Sequence, residues 1–320
     1  MTQPHHRHRH PRYRKRYKVT NWPSYERSLI KRGDFTLWLS EDAIQSWYGE
    51  SNDLVGRPQV YSDLAIESAL TLRLLFKLPL RQTEGFLRSL FSMMKVDLPV
   101  PDHTTLSRRS SSLKIQLKRV GKANERVDLV IDSTGLVIHG EGRWTRHKHG
   151  KRKRRGWRKL HIGVSHGLIV ASDLTDERGC DGAIAPTLIG QTGQVDSIIA
   201  DKGYDQIGVY EAAQAHLKQG GKIMIHPRAN GVISASGETA LRQRNQHIKS
   251  INEDGVLAWR RTSGYYRQSA VENMFYRYKT LIGDQLRARG ENSRQVESIL
   301  ACNILNQFRL LGRSQCELVA

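Results

Sequence analysis

Val127-Asp128-Leu129-Val130-Ile131-Asp132-Ser133-Thr134-Gly135 is the stretch on which the fold turns. A short apolar run of this kind, closed by a carboxylate and Ser-Thr-Gly, reads as a strand buried on both faces. Downstream, Leu160, Ile162 and Val164 alternate with Lys159, His161 and Gly163, the period-two pattern of a half-buried strand. Residues 167–172 form the second arm of a hairpin across Ser165-His166-Gly167. A helix is then expected near 183–190, a strand over 195–200, a helix over 207–218 and a strand over 222–225. Long helical stretches follow at 269–281 and 293–311. Three strands followed by alternating helices and strands indicate an α/β domain with a mixed sheet.

Upstream of that strand the pattern is helical. Tyr61-Ser62-Asp63 caps an expected helix that runs to about Lys77 and buries Leu64, Ile66, Leu70, Leu74 and Leu75. Pro79 ends it, and residues 81–94 make a second helix with Phe86, Leu87, Leu90 and Phe91 on one face. Pro99 and Pro101 stiffen the next turn, and Asp102 is placed to cap a short third helix, His-Thr-Thr-Leu-Ser-Arg-Arg-Ser. Its polar positions, Thr104, Thr105, Arg108 and Arg109 among them, suit phosphate and base-edge contacts. A helix-turn-helix would seat such a helix in a major groove. A solvated helix in a small bundle is the plainer alternative.

The charge favours the first of these. The chain has 320 residues with 51 Lys+Arg against 31 Asp+Glu, a formal net charge of +20 at pH 7. Solubility needs a net charge of only about 2–8, so the excess points to a polyanionic partner, nucleic acid or an acidic membrane surface. Residues 1–20 carry seven Lys/Arg and four His with no acid, and residues 143–159 hold ten Lys/Arg, Arg154 and Arg155 among them. The first block is expected to be a flexible arm that touches phosphates. His alternating with Arg makes a poor metal site, because the cations repel. No apolar run approaches the ~18 residues of a membrane span, and the N-terminus lacks the apolar segment of a secretory signal. Cys180, Cys302 and Cys316 form no metal or disulfide pattern. The expected protein binds nucleic acid in the cytoplasm, with no membrane partner.

Two aspartates stand at strand ends: Asp132, and Asp201 after Ile198-Ile199-Ala200. A carboxylate there is costly unless it is paired or binds metal. One such Asp is most simply a turn cap. Two of them, 69 residues apart, followed 71 residues later by Glu272, suggest a site. Ser269-x-x-Glu272 also fits a capping box. Lys279 lies two turns beyond Glu272 on the same helical face, so Tyr276 and Lys279 are placed to reach one phosphate backbone. Three carboxylates can hold two Mg²⁺ ions about 4 Å apart for phosphodiester chemistry, and Mg²⁺ favours carboxylates, water and substrate phosphates.

Four segments together resemble the DDE transposases of bacterial insertion sequences, in particular the insertion sequence five group. They are Val130-Ile-Asp-Ser-Thr-Gly-Leu, Gly156-Trp-Arg-Lys-Leu-His-Ile, Ala200-Asp-Lys-Gly-Tyr-Asp and a Tyr-x₂-Arg-x₃-Glu-x₆-Lys pattern. Tyr17-Lys-Val-Thr-Asn-Trp-Pro-Ser-Tyr and Thr36-Leu-Trp-Leu extend the likeness over nearly the whole chain. The resemblance implies an RNase H-like catalytic domain, with Asp132, Asp201 and Glu272 as catalytic and metal-binding residues. It also implies two divalent ions, Mg²⁺ or Mn²⁺, and recognition of double-stranded DNA at terminal inverted repeats and target. Cleavage followed by strand transfer would be carried out by a dimer or larger synaptic complex in a bacterial cell, nucleoid-associated when bound. Tyr265, Arg267, Lys279, Trp157, Arg158 and Lys159 would position DNA, although Trp157 also suits plain sheet packing. In one departure, the arginine position of the last pattern holds Gln268, with Arg267 one residue earlier.

The expected organisation is a basic flexible arm over 1–30 and a helical, helix-turn-helix-type DNA-binding region over 31–122. The RNase H-like catalytic domain would follow over 123–312, with a tail over 313–320. Two other functions share these features: a catalytically impaired DNA-binding regulator of transposition, and an RNase H-like DNA nuclease without strand transfer.

Overall fold

A computed structural model describes residues 17–39, 41–49, 60–118, 126–139, 156–234 and 239–319. Arg154, Arg155 and most of the expected arm lie outside the described residues. The second half of the chain is built on a mixed sheet. Its strands are β2 (Asp128–Ile138), β3 (Trp157–Ser165), β4 (Leu168–Thr175), β5 (Val195–Ala200), β6 (Leu217–Ile225) and the two-residue β7 (Gln285–Leu286). The order is β4-β3-β2-β5-β6, with β7 also on β2. β2, β3 and β4 pair antiparallel, whereas β2, β5 and β6 pair parallel. This is the mixed sheet expected from the sequence.

β2 is buried on both faces, as its apolar run requires. Leu129 and Ile131 join Ile198, Ala200 and Ile223 in one core cluster, under α6 (Asp181–Thr192) and α7 (Ile207–His216). Val130 and Leu136 join Leu160, Ile162 and Val164 in the other. That second cluster also takes in α10 (Ser269–Leu281) and α11 (Glu291–Leu311). It continues without a break into the helical region, where Ile66 and Leu70 of α3 (Asp63–Leu75), Leu87 and Phe91 of α4 (Leu80–Met94) and Leu106 of α5 (His103–Ser112) are buried. The helices α3 to α5 and the sheet therefore share one core.

Several elements differ from the sequence reading. Residues 17–30 were expected in a flexible arm. Instead Tyr17–Val19 forms β1, paired antiparallel with β8 (Cys316–Leu318) in the expected tail, and Trp22–Lys31 forms helix α1. Asn21 ties the two ends together, its side chain bonding the Arg313 carbonyl and the Gln315 amide. The strand expected at 222–225 begins at Leu217, where α7 ends. Helices α8 (Arg242–Asp254) and α9 (Val256–Ser263) were not anticipated. α8 buries only Ile248 and α9 only Trp259, so neither shows an apolar stripe.

The topology opens a slot at one place. On one edge β2 pairs with β5 as far as Ile131 and with β7 from Val137. Residues 132–136 have no ladder partner on that edge. β2 and β5 are parallel neighbours whose onward connections run to opposite sides of the sheet. The crevice beyond the carboxyl ends of two such strands is where open α/β sheets bind ligands.

Candidate active site

Asp132 and Asp201 flank that slot. Ile131 pairs with Ala200, so the two aspartates are the next residues of the same parallel pair. Asp132 accepts a 2.7 Å hydrogen bond from the Ser133 amide, and no ion pair neutralises it among the described residues. Its carboxyl is pushed up to about 6, first by burial and then by the charges of Asp201, Asp181 and Glu272. Asp201 caps the short helical turn Lys202–Tyr204, accepting from the Gly203 amide at 2.8 Å. A Cβ on Gly203 would lie 3.0 Å from Asp201 Oδ1, so any other residue would push the carboxylate by a few tenths of an ångström.

Glu272 lies on the exposed face of α10 with Tyr276 and Lys279. The capping box that Ser269 and Glu272 suggested is not formed. Gln268 is the N-cap and makes no side-chain cap bond, while Ser269 Oγ donates to the Tyr266 carbonyl. Glu272 is thus left outside the helix's own hydrogen bonding. Tyr265 is brought to the site as expected. Burial and the nearby charges of Asp201, Asp132 and Glu272 push its hydroxyl up to about 12.

Sequence reasoning missed three groups here. Asp181 opens α6 and is a fourth carboxylate, close enough to raise Asp132. Lys159 Nζ holds its Oδ2 at 2.7 Å, and His161 Nδ1 lies 3.4 Å from its Oδ1. Neither that Oδ1 nor that Nδ1 has a hydrogen-bond partner among the described residues. Burial alone would raise Asp181, but His161, Lys159 and Ser133 together hold it well below the usual carboxylate range. Tyr204 is fully buried, and its hydroxyl has no hydrogen-bond partner among the described residues. Burial and the charges of Asp181, Asp132 and Asp201 raise it far above an ordinary tyrosine, which places that hydroxyl among three aspartates. The only signal for Asp181 was its place one residue after Cys180, before a helix that the apolar pattern starts too late.

Several expected DNA contacts are occupied within the chain. Arg158 makes a two-pronged pair with Glu291, at 2.7 Å through Nη2. Lys159 is held by Asp181. Arg267 pairs with Asp128 at 2.9 Å, near the start of β2 rather than at the carboxylates. Gln268 is buried, with Nε2 3.5 Å from the Ile131 carbonyl, so no cation occupies the position where the family pattern has arginine. Trp157 lies over Gly135, whose Cβ would stand 3.5 Å from its ring. On α5, Asp102 caps the helix and takes both Thr104 and Thr105 hydroxyls. Arg109 is bound to the Tyr61 carbonyl and Asp63. Arg108 is left exposed, with only a 3.4 Å bond to Thr105.

The donor set suits a hard divalent cation, being all oxygen. An ionisable Asp132 without a cation beside it is a further sign that positive charge is missing. The arrangement is not a preformed cage: among the described residues no three His, Cys, Asp or Glu side chains converge closely enough to hold a metal. Glu272 is the member exposed on its helix.

Two protein-family models, each described as Transposase DDE domain, match residues 30–141 and 123–307. The chain belongs to the DDE transposase family and is an enzyme of that class. Among solved structures, one of a piggyBac transposase synaptic complex with hairpin DNA is similar with a TM-score of 0.36 and 10% identity. That likeness covers 90% of this chain and 77% of that one, and is too remote to bear on the site. Among the described residues no helix is long and apolar enough to cross a membrane.

Proposed function

We propose that the chain is the transposase of a bacterial insertion sequence of the insertion sequence five group. In this reading it binds the element's terminal inverted repeats, cleaves there and joins the freed 3′-hydroxyl to target DNA. The observation that carries the reading is the pairing of Asp132 and Asp201 across the open slot of β2, with Glu272 close enough to raise Asp132. Asp132, Asp201 and Glu272 would hold Mg²⁺ or Mn²⁺, which when bound activates a nucleophilic oxygen and stabilises the leaving one. The protein's own part is to fix two carboxylates on rigid strands and let the third close from α10. Tyr204 and Tyr265 wall the site with one buried and one half-buried ring, and Tyr276 and Lys279 extend the Glu272 face toward the DNA backbone. Joining two element ends calls for a dimer or larger assembly.

A second reading, a catalytically impaired regulator, draws on one observation: Gln268 is buried where the pattern has arginine, and Arg267 is tied to Asp128. Incubating the chain with DNA carrying the element ends, in Mg²⁺ and in EDTA, separates the readings. Metal-dependent nicks with capture of target DNA fit the transposase, and nicks without capture fit a nuclease. Binding without nicks fits the regulator.

A further inference from the structure

A cleft of about 830 Å³ lies between the helical region and the start of α11. It is separate from the carboxylate slot and is lined by five arginines, Arg73, Arg81, Arg108, Arg287 and Arg289, against one acid, Glu297. The acid does not neutralise them. Both Glu297 oxygens are taken by backbone, accepting from the Arg287 amide at 2.9 Å and the Ala288 amide at 2.7 Å. Arg287 is turned to the Lys77 carbonyl.

Arg73 is the telling member. It is only 9% exposed, yet its Nε has no hydrogen-bond partner, and among the described residues it makes no ion pair. Burial pulls its ionisation down, Glu297 partly restores it, and Arg287 adds like-charge repulsion. A guanidinium stays charged in proteins, and a buried charge without a partner is costly. The fold thus maintains an unsatisfied cation facing a cleft whose other cations also lack acidic partners among the described residues. The N-terminus of α11, a helix of 21 residues beginning after Gly290, opens on the same cleft and adds its own partial positive charge.

We propose that this cleft binds successive phosphates of a DNA strand, clamping it between α5 and the turn that leads into α11. The ligand must be anionic to satisfy Arg73. Five guanidiniums spread over a cleft exceed what a single phosphate can use, and forked donors match phosphate oxygens in pairs. Arg108, the outward arginine of α5, stands at its wall, which makes the cleft the continuation of that helix's surface. The proposal rests on the reading of the chain as a DNA-binding transposase and adds residues to it that no motif marked.

The test is the salt dependence of binding to a fluorescein-labelled 20-base-pair duplex, for wild type, Arg289→Ala and Arg73→Met. Arg289 is exposed, so its removal leaves folding intact. Each lost phosphate contact should reduce the log–log salt slope by about 0.9. Arg73→Met should weaken duplex binding by about tenfold while the Tm of the free protein holds or rises, a combination that a purely structural arginine would not give. Unchanged slope and affinity in both variants would overturn the clamp. So would loss of pyrophosphate binding, measured separately, in Arg73→Met with the DNA slope intact, which would mark a small-anion site. Because only binding is read, a chain that fails to cleave DNA defeats the functional reading without touching this one. A wild type that binds no duplex defeats both.

Discussion

The carboxylate slot and the arginine cleft are opposites in charge and alike in physical state. In the slot, the half-buried Asp132 lies near Asp201, Asp181 and Glu272, with Lys159 engaged by Asp181 and the Gly179 carbonyl. In the cleft, Arg73 is buried beside Arg287, with Glu297 bound to backbone. Each region holds charge of one sign that the described residues do not neutralise, and Asp205 shows the alternative. Asp205, four residues after Asp201, is also buried, but Arg244 pairs with it at 2.7 Å, and Tyr210 and the Arg228 amide donate to it. Folding satisfies Asp205 internally. The slot and the cleft are completed from outside, by a cation and by phosphate.

The largest effect expected from that contrast is on cleavage. Asp132→Asn should cut Mg²⁺-dependent nicking of end-containing DNA by about 10³-fold or more, since a lost metal contact is worth several kcal/mol. Duplex binding, measured by fluorescence anisotropy, should be largely retained. Nicking that survives the change would remove Asp132 from the site. Next is the internally satisfied counterpart: Arg244→Met should destabilise the fold by about 3–5 kcal/mol, because it strands a buried carboxylate. Urea unfolding would show it, and a loss below 1 kcal/mol would erase the distinction between Asp205 and the slot.

The same two aspartates should respond to pH in opposite directions. Asp132 has its carboxyl raised from 3.8 to about 6, by burial first. Between those values the folded protein keeps a proton that the unfolded chain has lost, so this group's contribution to stability falls as pH rises from about 4 to 6. Asp132→Asn should therefore stabilise the metal-free protein by roughly 2–3 kcal/mol at pH 7.5, at 1.36 kcal/mol per unit. That gain should vanish near pH 4. Asp205 is lowered: burial pushes it up, but Arg244 and its other donors outweigh that. Its contribution is present above the ordinary carboxylate value and is lost on acidification below it. Thermal melts of Asp132→Asn and wild type across pH 4–8 test the sign, and a gain independent of pH would refute it. The smallest effect belongs to the surface: Asp63→Asn should cost under about 1 kcal/mol, because Asp63 is 61% exposed in its pair with Arg109.

Much of the scaffold was readable from local pattern. The β2 and β5 runs are apolar because both faces are covered, and α3, α4 and α10 carry apolar stripes strong enough to bound them. Asp102 was recognisable as a cap from its place before a polar helix. Where the pattern is faint the reading failed. α8 is polar almost throughout, and β1 finds its partner in β8 nearly 300 residues away. Asp181 was passed over because a strand-to-helix junction carries no apolar period to mark it.

The sequence by itself determined the strand that carries Asp132, the order of the three carboxylates, and the excess of positive charge. These depend on residue type and short-range spacing. It did not decide which charges would be left unpaired. Asp128, Asp196 and Asp205 sit at or near strand ends as Asp201 does, while Asp132, expected at one, lies inside β2, which runs on to Ile138; yet Arg267, Lys218 and Arg244 neutralise the first three. Likewise Arg158, Lys159 and Arg109 looked available and proved to be paired, while Arg73, in the middle of a helix, was left facing a cleft. Only the tertiary structure settles such matters, because a charge's partner is chosen by what packs beside it and not by its neighbours along the chain.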